Sequence, residues 1–525
     1  MNMKRIIAIL TISFVAFQLA FGQSEFDLFK LVQPEINGTA RYTSMAGAFG
    51  ALGGDPSAIK DNPAGLGIYR SSEITGGLNI NIQETQAQWL NGSKSIEGLY
   101  QPLFNNFSFV MSFPTSSFAG ADLKYSNIAI TVNRLKNFNR NMRINGGSGA
   151  TSSITDYLTY FSDGIHADDL YPANNYEPYG NIHVPWMSVL AANTGLIFQN
   201  PGETDWFSLL DSDETVAPSY TLREQGYLNE FAFSWAGNFN NRLFLGLTMN
   251  IYDMDYSAYA DYFEDFSKGG NMSLLNTFNS EASGLGVKLG AIYAPFNNIR
   301  VGFSLQTPVF FTVKNAHYAH MNAAYDTDTG PVSYHEETQY ASDLDNKYKV
   351  QGPLSYNISG SYIFGKRAVM GIEYGISHNN LSKYMDLDNN AFPYRYENDG
   401  IRTYFTTQHL LKIGGEFKLT DHFAIRAGYA TANPVTLPGI GKEFIPNTIR
   451  TDVEYFVPKG NTNYWSAGIG YRESRWFLDL AVINKTYTEK FYPYNYKKLN
   501  PAIADSPGTV KTSDLNLVAT LGFKF

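Results

Sequence analysis

Leu515-Asn-Leu-Val-Ala-Thr-Leu-Gly-Phe-Lys-Phe525 closes the chain, and its alternation decides the fold. Leu515, Leu517, Ala519, Leu521, Phe523 and Phe525 fall on one face of an extended strand, while Asn516, Val518, Thr520, Gly522 and Lys524 fall on the other. A side-chain period of two puts the apolar set on one side of a sheet, and about 9 to 11 tilted residues suffice to cross a bilayer core. The segment therefore predicts a membrane strand that ends on an aromatic residue. Such a strand needs partners, which the rest of the chain must supply.

The composition agrees with an exported barrel. Lys4 and Arg5 precede a mostly apolar run from Ile6 to Phe21, and Ala20-Phe21-Gly22 supplies a small-x-small cleavage pattern, so residues 1–22 are expected to be a signal peptide and Gln23 the start of the mature chain. An uncleaved helix is the other reading, but the run carries Thr11, Ser13 and Gln18 and falls short of the roughly 20 residues of a span. The sequence has no cysteine, which excludes a cysteine-linked lipid anchor and a disulfide scaffold. Beyond residue 22 no window is apolar enough for a membrane helix. The mean hydropathy of -0.24 is what alternating lumen and lipid faces average to. Aromatic residues make up 15% of the chain, enough for girdles at two membrane interfaces. A β-solenoid would show a fixed repeat, and none is found. The net charge of -9 gives no basic footprint for nucleic acid.

Paired alternating runs with tight turns recur upstream. Leu354–Phe364 turns at Gly365-Lys366-Arg367 into Met370, Ile372, Tyr374 and Ile376. Leu411–Leu419 turns at Thr420-Asp421-His422, Trp465–Tyr471 turns at Glu473-Ser474-Arg475, and an earlier pair turns at Asn240-Asn241-Arg242. Between residues 72 and 525 this grammar predicts an all-β, transmembrane antiparallel barrel of about 14 strands, with short turns on the periplasmic side and long loops outside. The largest loop is placed at about 137–220, with others near 258–279, 316–345, 385–400, 434–461 and 490–511. Glu373, Lys412, Glu416, Arg426, Arg472 and Asp479 alternate with apolar neighbours and are assigned to the lumen, since a lipid-facing charge costs about 2–4 kcal/mol at the midplane. A salt-bridged interior is the simplest role for them.

The segment Ala40 to Gly67 is small-residue-rich and too irregular for a strand. Asp55-Pro56 reads as a helix N-cap followed by a first-turn proline, giving a short helix that stops before Asn62-Pro63. Within residues 23–71 this segment would be a hatch inside the barrel. Here Met45-Ala-Gly-Ala-Phe49, Gly54-Asp55-Pro56-Ser57-Ala58 and Asn62-Pro63-Ala64-Gly65-Leu66 resemble the N-terminal hatch of the FadL/TodX family of outer-membrane transporters of hydrophobic compounds. Leu411 to Tyr429 and Trp465 to Tyr471 are similar to that family's late strands.

The resemblance implies a bacterial outer-membrane barrel of fourteen strands closed by the hatch. Gly54, Asp55, Pro56, Asn62, Pro63, Ala64 and Gly65 would be the hatch residues, and Phe525 the terminal aromatic read by the barrel-insertion machinery. It implies uptake of long-chain fatty acids or other hydrophobic small molecules, passed sideways through the wall near an inward kink in the third strand. The third strand, at about 122–136, has no proline or internal glycine to mark a kink. Trp186, Phe198, Trp206, Phe207, Phe310 and Phe311 are candidate ligand-binding aromatics, though girdle or loop packing is the commoner role for any one of them. Membrane lipid and lipopolysaccharide are the expected surroundings. The alternative function is protein interaction through the external loops, as in the family's secretion-shuttle branch.

Other signals carry less. His317-x-x-His320 lacks the grouping of a zinc site. Asp326-x-Asp328-x-Gly330 and Asp386-x-Asp388-x-Asn390 lack the full calcium-loop pattern with its closing Glu. No nucleophile elbow, phosphate loop or dinucleotide fingerprint occurs, so no enzyme, metal or cofactor is expected.

Overall fold

The computed structural model describes residues 27–32, 35–115, 122–173, 176–181, 183–338, 346–437, 450–494 and 507–525. The expected signal peptide lies outside them. Twenty ladder segments of one antiparallel sheet merge into a closed barrel of 14 strands. In chain order these are β1 (Glu73–Gln88), β2 (Ser95–Pro114), β3 (Leu123–Asn137, continued as Arg140–Asn145), β4 (Val216–Phe239), β5 (Leu243–Phe266), β6 (Asn271–Phe296) and β7 (Ile299–Gln306 with Phe310–Thr327). There follow β8 (Asn346–Gln351 with Ser355–Phe364), β9 (Ala368–His378), β10 (Thr407–Lys418), β11 (Phe423–Ala432), β12 (Thr462–Arg472), β13 (Trp476–Tyr492) and β14 (Gly508–Lys524). β14 closes on β1 with Ile80 opposite Leu517 and Leu78 opposite Ala519. Phe525 and Ser72 exchange backbone hydrogen bonds of 3.0 and 3.1 Å beyond that ladder.

Closure satisfies the backbone, and alternation then sorts the side chains. On β5, Leu243, Leu245, Leu247, Met249 and Ile251 point outward and are exposed. At about 3.4 Å per residue and a tilt near 40°, this stretch spans roughly 20–25 Å of the membrane normal, the height of a lipid-facing band. Above Ile251 the polarity of the wall inverts. Asp253 and Asp255 now face out, while Tyr252, Met254, Tyr256 and Tyr262 are buried inward. The same inversion occurs on β4, where outward Phe231, Phe233 and Trp235 give way to exposed Arg223 and Gln225.

This inversion explains where the strands run longer than alternation predicts. β5 and β6 continue to Phe266 and from Asn271, leaving only a tight turn where an external loop at 258–279 is expected. β7 likewise reaches Thr327 and returns as a hairpin strand, Gly330–Glu337. Outside the membrane the inner face is the apolar one, so the lipid-strand pattern ends where the strand does not. Within the 137–220 region, α-helices Ile154–Ser162 and Trp186–Asn193 and a hairpin of Ile197–Gln199 with Trp206–Ser208 form a cap. Leu158, Trp186, Val189, Leu190 and Leu196 of the cap pack on the inward Tyr220, Tyr262, Phe266, Met272 and Leu274.

Leu247→Arg, at the middle of the belt, is expected to lower unfolding free energy in lipid vesicles by about 2–4 kcal/mol, whereas Tyr259→Arg, on the same face above the belt, should cost under about 1 kcal/mol. Urea titration followed by tryptophan fluorescence measures both.

Candidate functional site

The N-terminal segment threads the lumen and touches most of the wall. Its local geometry follows from two matching Asx-Pro caps. Asp55 accepts the Ser57 N–H at 2.9 Å and opens a 3-10 turn over Pro56–Lys60. Asn62 accepts the Ala64 N–H at 3.0 Å and opens a second over Pro63–Ile68. The first turn follows the sequence reading. The second repeats the same signal, an acceptor side chain before a proline, which the sequence reading treats only as a stop. Asn62 Nδ2 also donates to Gly50 O at 2.8 Å and Ala291 O at 3.3 Å, tying the turn to β6. Gly54 (φ +66°) donates to Gly65 O at 3.1 Å, folding the two halves together. Inward glycines accommodate the close approach. A Cβ on Gly246 would collide with the Pro63–Ala64 backbone, and one on Gly290 with Asn62 and Pro63.

The lumen charges form two connected networks rather than solitary groups. Lys412 lies 2.9 Å from Glu373 and 3.0 Å from Asp61 of the threaded segment. Glu373 also accepts the Gly50 N–H at 2.8 Å. Arg426 binds Glu416 at 2.7 Å and Asp479 at 2.6 Å, and Arg41 of the segment joins Glu416 at 2.9 Å. Each network thus crosses between wall and segment. Removing one member would strand a buried charge, a loss of about 3–5 kcal/mol.

Above these networks lies a cavity of about 480 Å³, a size that suits a small ligand. Its apolar wall includes Leu228, Tyr252, Tyr256, Phe278, Val309 and Phe311, and its floor includes Lys60, Glu230 and Lys288. Its side reaches Leu135 to Arg140, where β3 changes course. β3 pairs with β2 only from Tyr125 to Asn133, opposite Pro114 to Asn106. The Phe138 N–H bonds Gly226 O at 3.0 Å, Gly226 adopts φ +126°, and Asn139 accepts the Gly226 N–H at 3.0 Å. Arg140–Asn145 then resumes the ladder with β4, opposite Glu224 to Ser219. Arg140 spans from Glu224 at 2.6 Å to Glu489 at 2.7 Å, and Met142 and Ile144 are buried with Ala87 and Trp89.

The third strand therefore breaks just beyond the stretch in which the sequence shows no breaker. The signal sits on its neighbour. Ser95–Asn105 of β2 has no ladder partner on the β3 side, and Pro102, which lacks an N–H, stands in that edge.

Of the six aromatic candidates, Phe311 lines the cavity, 5.7 Å from the Tyr252 ring. Phe310, its neighbour, points outward, as alternation requires. Trp186 and Trp206 are buried in the cap, donating to Tyr179 O at 3.0 Å and Ile165 O at 2.9 Å. Phe198 and Phe207 stack at 5.8 Å on the cap's exposed outer face. Tyr252, Tyr256 and Phe278 escape the sequence reading because they lie on the inward face of strands above the belt. His317 and His320 are separated by the strand: His317 is buried against Thr451 Oγ1 at 2.8 Å, and His320 faces His335. In the Asp386–Asn390 loop, Asp386 accepts the N–H groups of Asp388 and Asn390, and Lys349 Nζ donates to Leu387 O and Asn389 Oδ1 where a cation would bind. Among the described residues no three His, Asp or Glu side chains are grouped to hold a metal.

The fourteen-strand barrel has a counterpart among solved structures. A FadL homologue of Pseudomonas aeruginosa superposes with a TM-score of 0.51 over 94% of this chain and 99% of its own, at 13% identity. The chain has the FadL fold. The toluene transporter TodX of Pseudomonas putida follows at a TM-score of 0.49 and 12% identity, covering 93% of this chain and 99% of its own. The CymD monoaromatic hydrocarbon channel gives 0.46 and 11%, covering 94% and 98%. No family model matches the chain, and no curated protein does. At such identities the FadL fold is what the likeness carries, and residue roles come from this chain's own geometry.

Gly246→Leu would place a side chain where the Pro63–Ala64 backbone passes. The expected outcome is a folded barrel whose N-terminal segment is displaced, seen by mass spectrometry as tryptic cleavage after Arg41 and Lys60, both protected in the wild type.

Proposed function

We propose that this protein lies in a bacterial outer membrane and admits hydrophobic small molecules from outside, releasing them sideways through the wall rather than through an axial pore. It acts as a transporter and not an enzyme. The observation that carries this reading is the coincidence of the cavity's side with the unpaired edge of β2.

That edge is costly where it stands. Tyr100, Pro102 and Phe104 of the edge pair with Ile82, Ile80 and Leu78 of β1, the outward apolar row of the belt, so unpaired backbone sits at lipid height. Open edges are avoided there because no water satisfies them. The gap is bridged by side chains instead: Asn139 donates to Gln101, and Ser95 to Arg143 O. Such bonds separate more readily than a continuous ladder. An alkyl chain passing this way exchanges cavity wall for membrane without entering water, a step that would otherwise cost about 0.8 kcal/mol per methylene.

In this reading the N-terminal segment is a plug, held by the two ion networks, that denies water and ions an axial route. Long-chain fatty acids are one ligand class of suitable form, with the tail against Leu228, Val309 and Phe311 and the carboxylate toward Lys60 and Lys288 on the floor. The second reading, an external surface for a secreted protein, draws on the exposed Phe198–Phe207 pair and requires no passage through the wall.

The chain has no native cysteine, so a Gln101→Cys, Asn139→Cys pair can be closed by oxidation or a short bis-thiol reagent without side reactions. Accumulation of a fluorescent fatty acid in cells should fall to background when the pair is joined and recover on reduction. Unchanged accumulation with the cross-link verified would eliminate the lateral route.

A further inference from the structure

The outer end of the cavity already holds a cation, and the chain itself provides it. Ahead of the threaded segment, the short helix Leu28–Val32 buries Leu28 and Val32 in the apolar cluster of Phe138, Tyr252, Tyr256, Phe278 and Phe311. Between them Lys30 Nζ lies 4.2 Å from the Tyr256 ring centroid and 4.6 Å from that of Phe278. The two rings are 6.1 Å apart and steeply tilted, so two faces hold the ammonium between them, and Phe138 supports Tyr256 edge-on at 5.2 Å. A cation over ring faces is attracted by their quadrupoles, more so where water is excluded.

The fixed charges around these rings are of both signs. Tyr256 Oη donates to Glu224 at 2.6 Å, and Glu489, Asp452 and Glu454 also line the space. Against these four carboxyls stand Arg140, Arg450, whose guanidinium lies 4.3 Å from the Phe278 ring centroid, and Lys136, whose ammonium lies 5.1 Å from that of Phe138. Burial, with the Asp452 charge beside it, pushes Glu454 up to about 8, which leaves three carboxylates against three cations near neutral pH, so the aromatic faces rather than net charge single out the ammonium. The helix adds Lys30 and Asp27, 3.1 Å apart, and so leaves the balance unchanged.

The cap adds a separate observation. From Arg143 to Arg223 the sequence contains no lysine or arginine between those two residues, against ten aspartates and glutamates. These acids lie on the cap rather than around the cavity, and they favour cations over anions at the outer face as a whole.

We propose that the outer end of the cavity is a binding site for cationic amphiphiles, an ammonium head on an apolar tail, for which Lys30 flanked by Leu28 and Val32 is the built-in stand-in. The helix and such a ligand occupy the same space: ammonium between Tyr256 and Phe278, apolar groups against Tyr252 and Phe311. This rests on the reading of the cavity as the ligand site.

The test is binding of three ten-carbon probes, decyltrimethylammonium, decanol and decanoate, to the full chain in nanodiscs, each corrected for empty nanodiscs. The ammonium should bind about tenfold more tightly than decanol, with decanoate weakest. Lys30→Met removes the competing cation and should tighten ammonium binding severalfold while leaving decanol unchanged. Tyr256→Leu with Phe278→Leu should abolish the preference for ammonium over decanol but keep decanol binding, which also reports that the barrel is folded. Decanol bound as well as the ammonium, or decanoate bound best, overturns the cation site and leaves the transport reading standing. Binding of none of the three overturns both.

Discussion

Every backbone N–H and C=O at lipid height must find its partner in a neighbouring strand, and the structure is organised around that requirement. The β1–β14 seam meets it from Glu73 to Gln88 without a register shift. Once the wall is closed, a period of two leaves each strand with one lipid face and one lumen face, and the lumen face is free to be polar. That freedom is what allows Lys412, Glu373, Arg426, Glu416 and Asp479 to sit inside a membrane-height barrel, neutralised by one another and by Arg41 and Asp61 of the N-terminal segment.

The exception to closure is then the informative place. Above Asn133, β3 leaves β2, and its continuation buries Met142 and Ile144 beneath the cap. Apolar packing on the inside compensates for ladder bonds lost on the wall. The cap that receives them is built on strands whose apolar face has switched inward, so long strands, cap and break belong to one device. Without the polarity inversion above Ile251 there would be no apolar surface outside the membrane for the cap or the cavity to use.

Much of this is legible in the sequence, for reasons that differ by element. Alternation reveals the belt because lipid demands apolar side chains at every second position, and it assigns Glu373, Lys412, Glu416, Arg426 and Asp479 to the lumen by the same rule. Asp55-Pro56 shows its turn through cap chemistry. The cavity residues are hidden because alternation assigns a face but not an occupant: Tyr256 and Phe278 look like any inward pair until the strands are known to outrun the bilayer. Cap aromatics such as Trp186 and Trp206 stand out by size, yet size marks a core as readily as a site. The break in β3 is invisible in β3 itself, because the tell-tale residues are Pro102 on one neighbour and Gly226 on the other.

The position of the N-terminal segment links these parts physically. Asn37 Nδ2 reaches Leu135 O at 3.5 Å, two residues before β3 runs out of strand, and Glu35 pairs with Lys485 on the far side of the same space. Asp27 is held by Arg450 at 2.5 Å from the β11–β12 connection, and Asp61 by Lys412 below. One short stretch therefore contacts the external loop, the cavity, the break and the lumen networks in turn. A group that enters the cavity and shifts this stretch acts on the wall at Leu135 and on the ion pairs at Asp61 through direct contact, with no long relay of intermediates. Of the stretch's ion pairs, Asp27–Arg450, Glu35–Lys485 and Asp61–Lys412 border the cavity, and Arg41–Glu416 lies away from it. At its inner end the stretch is tied to the wall by Arg41, Asp61 and Gly50, which meet Glu416, Lys412 and Glu373.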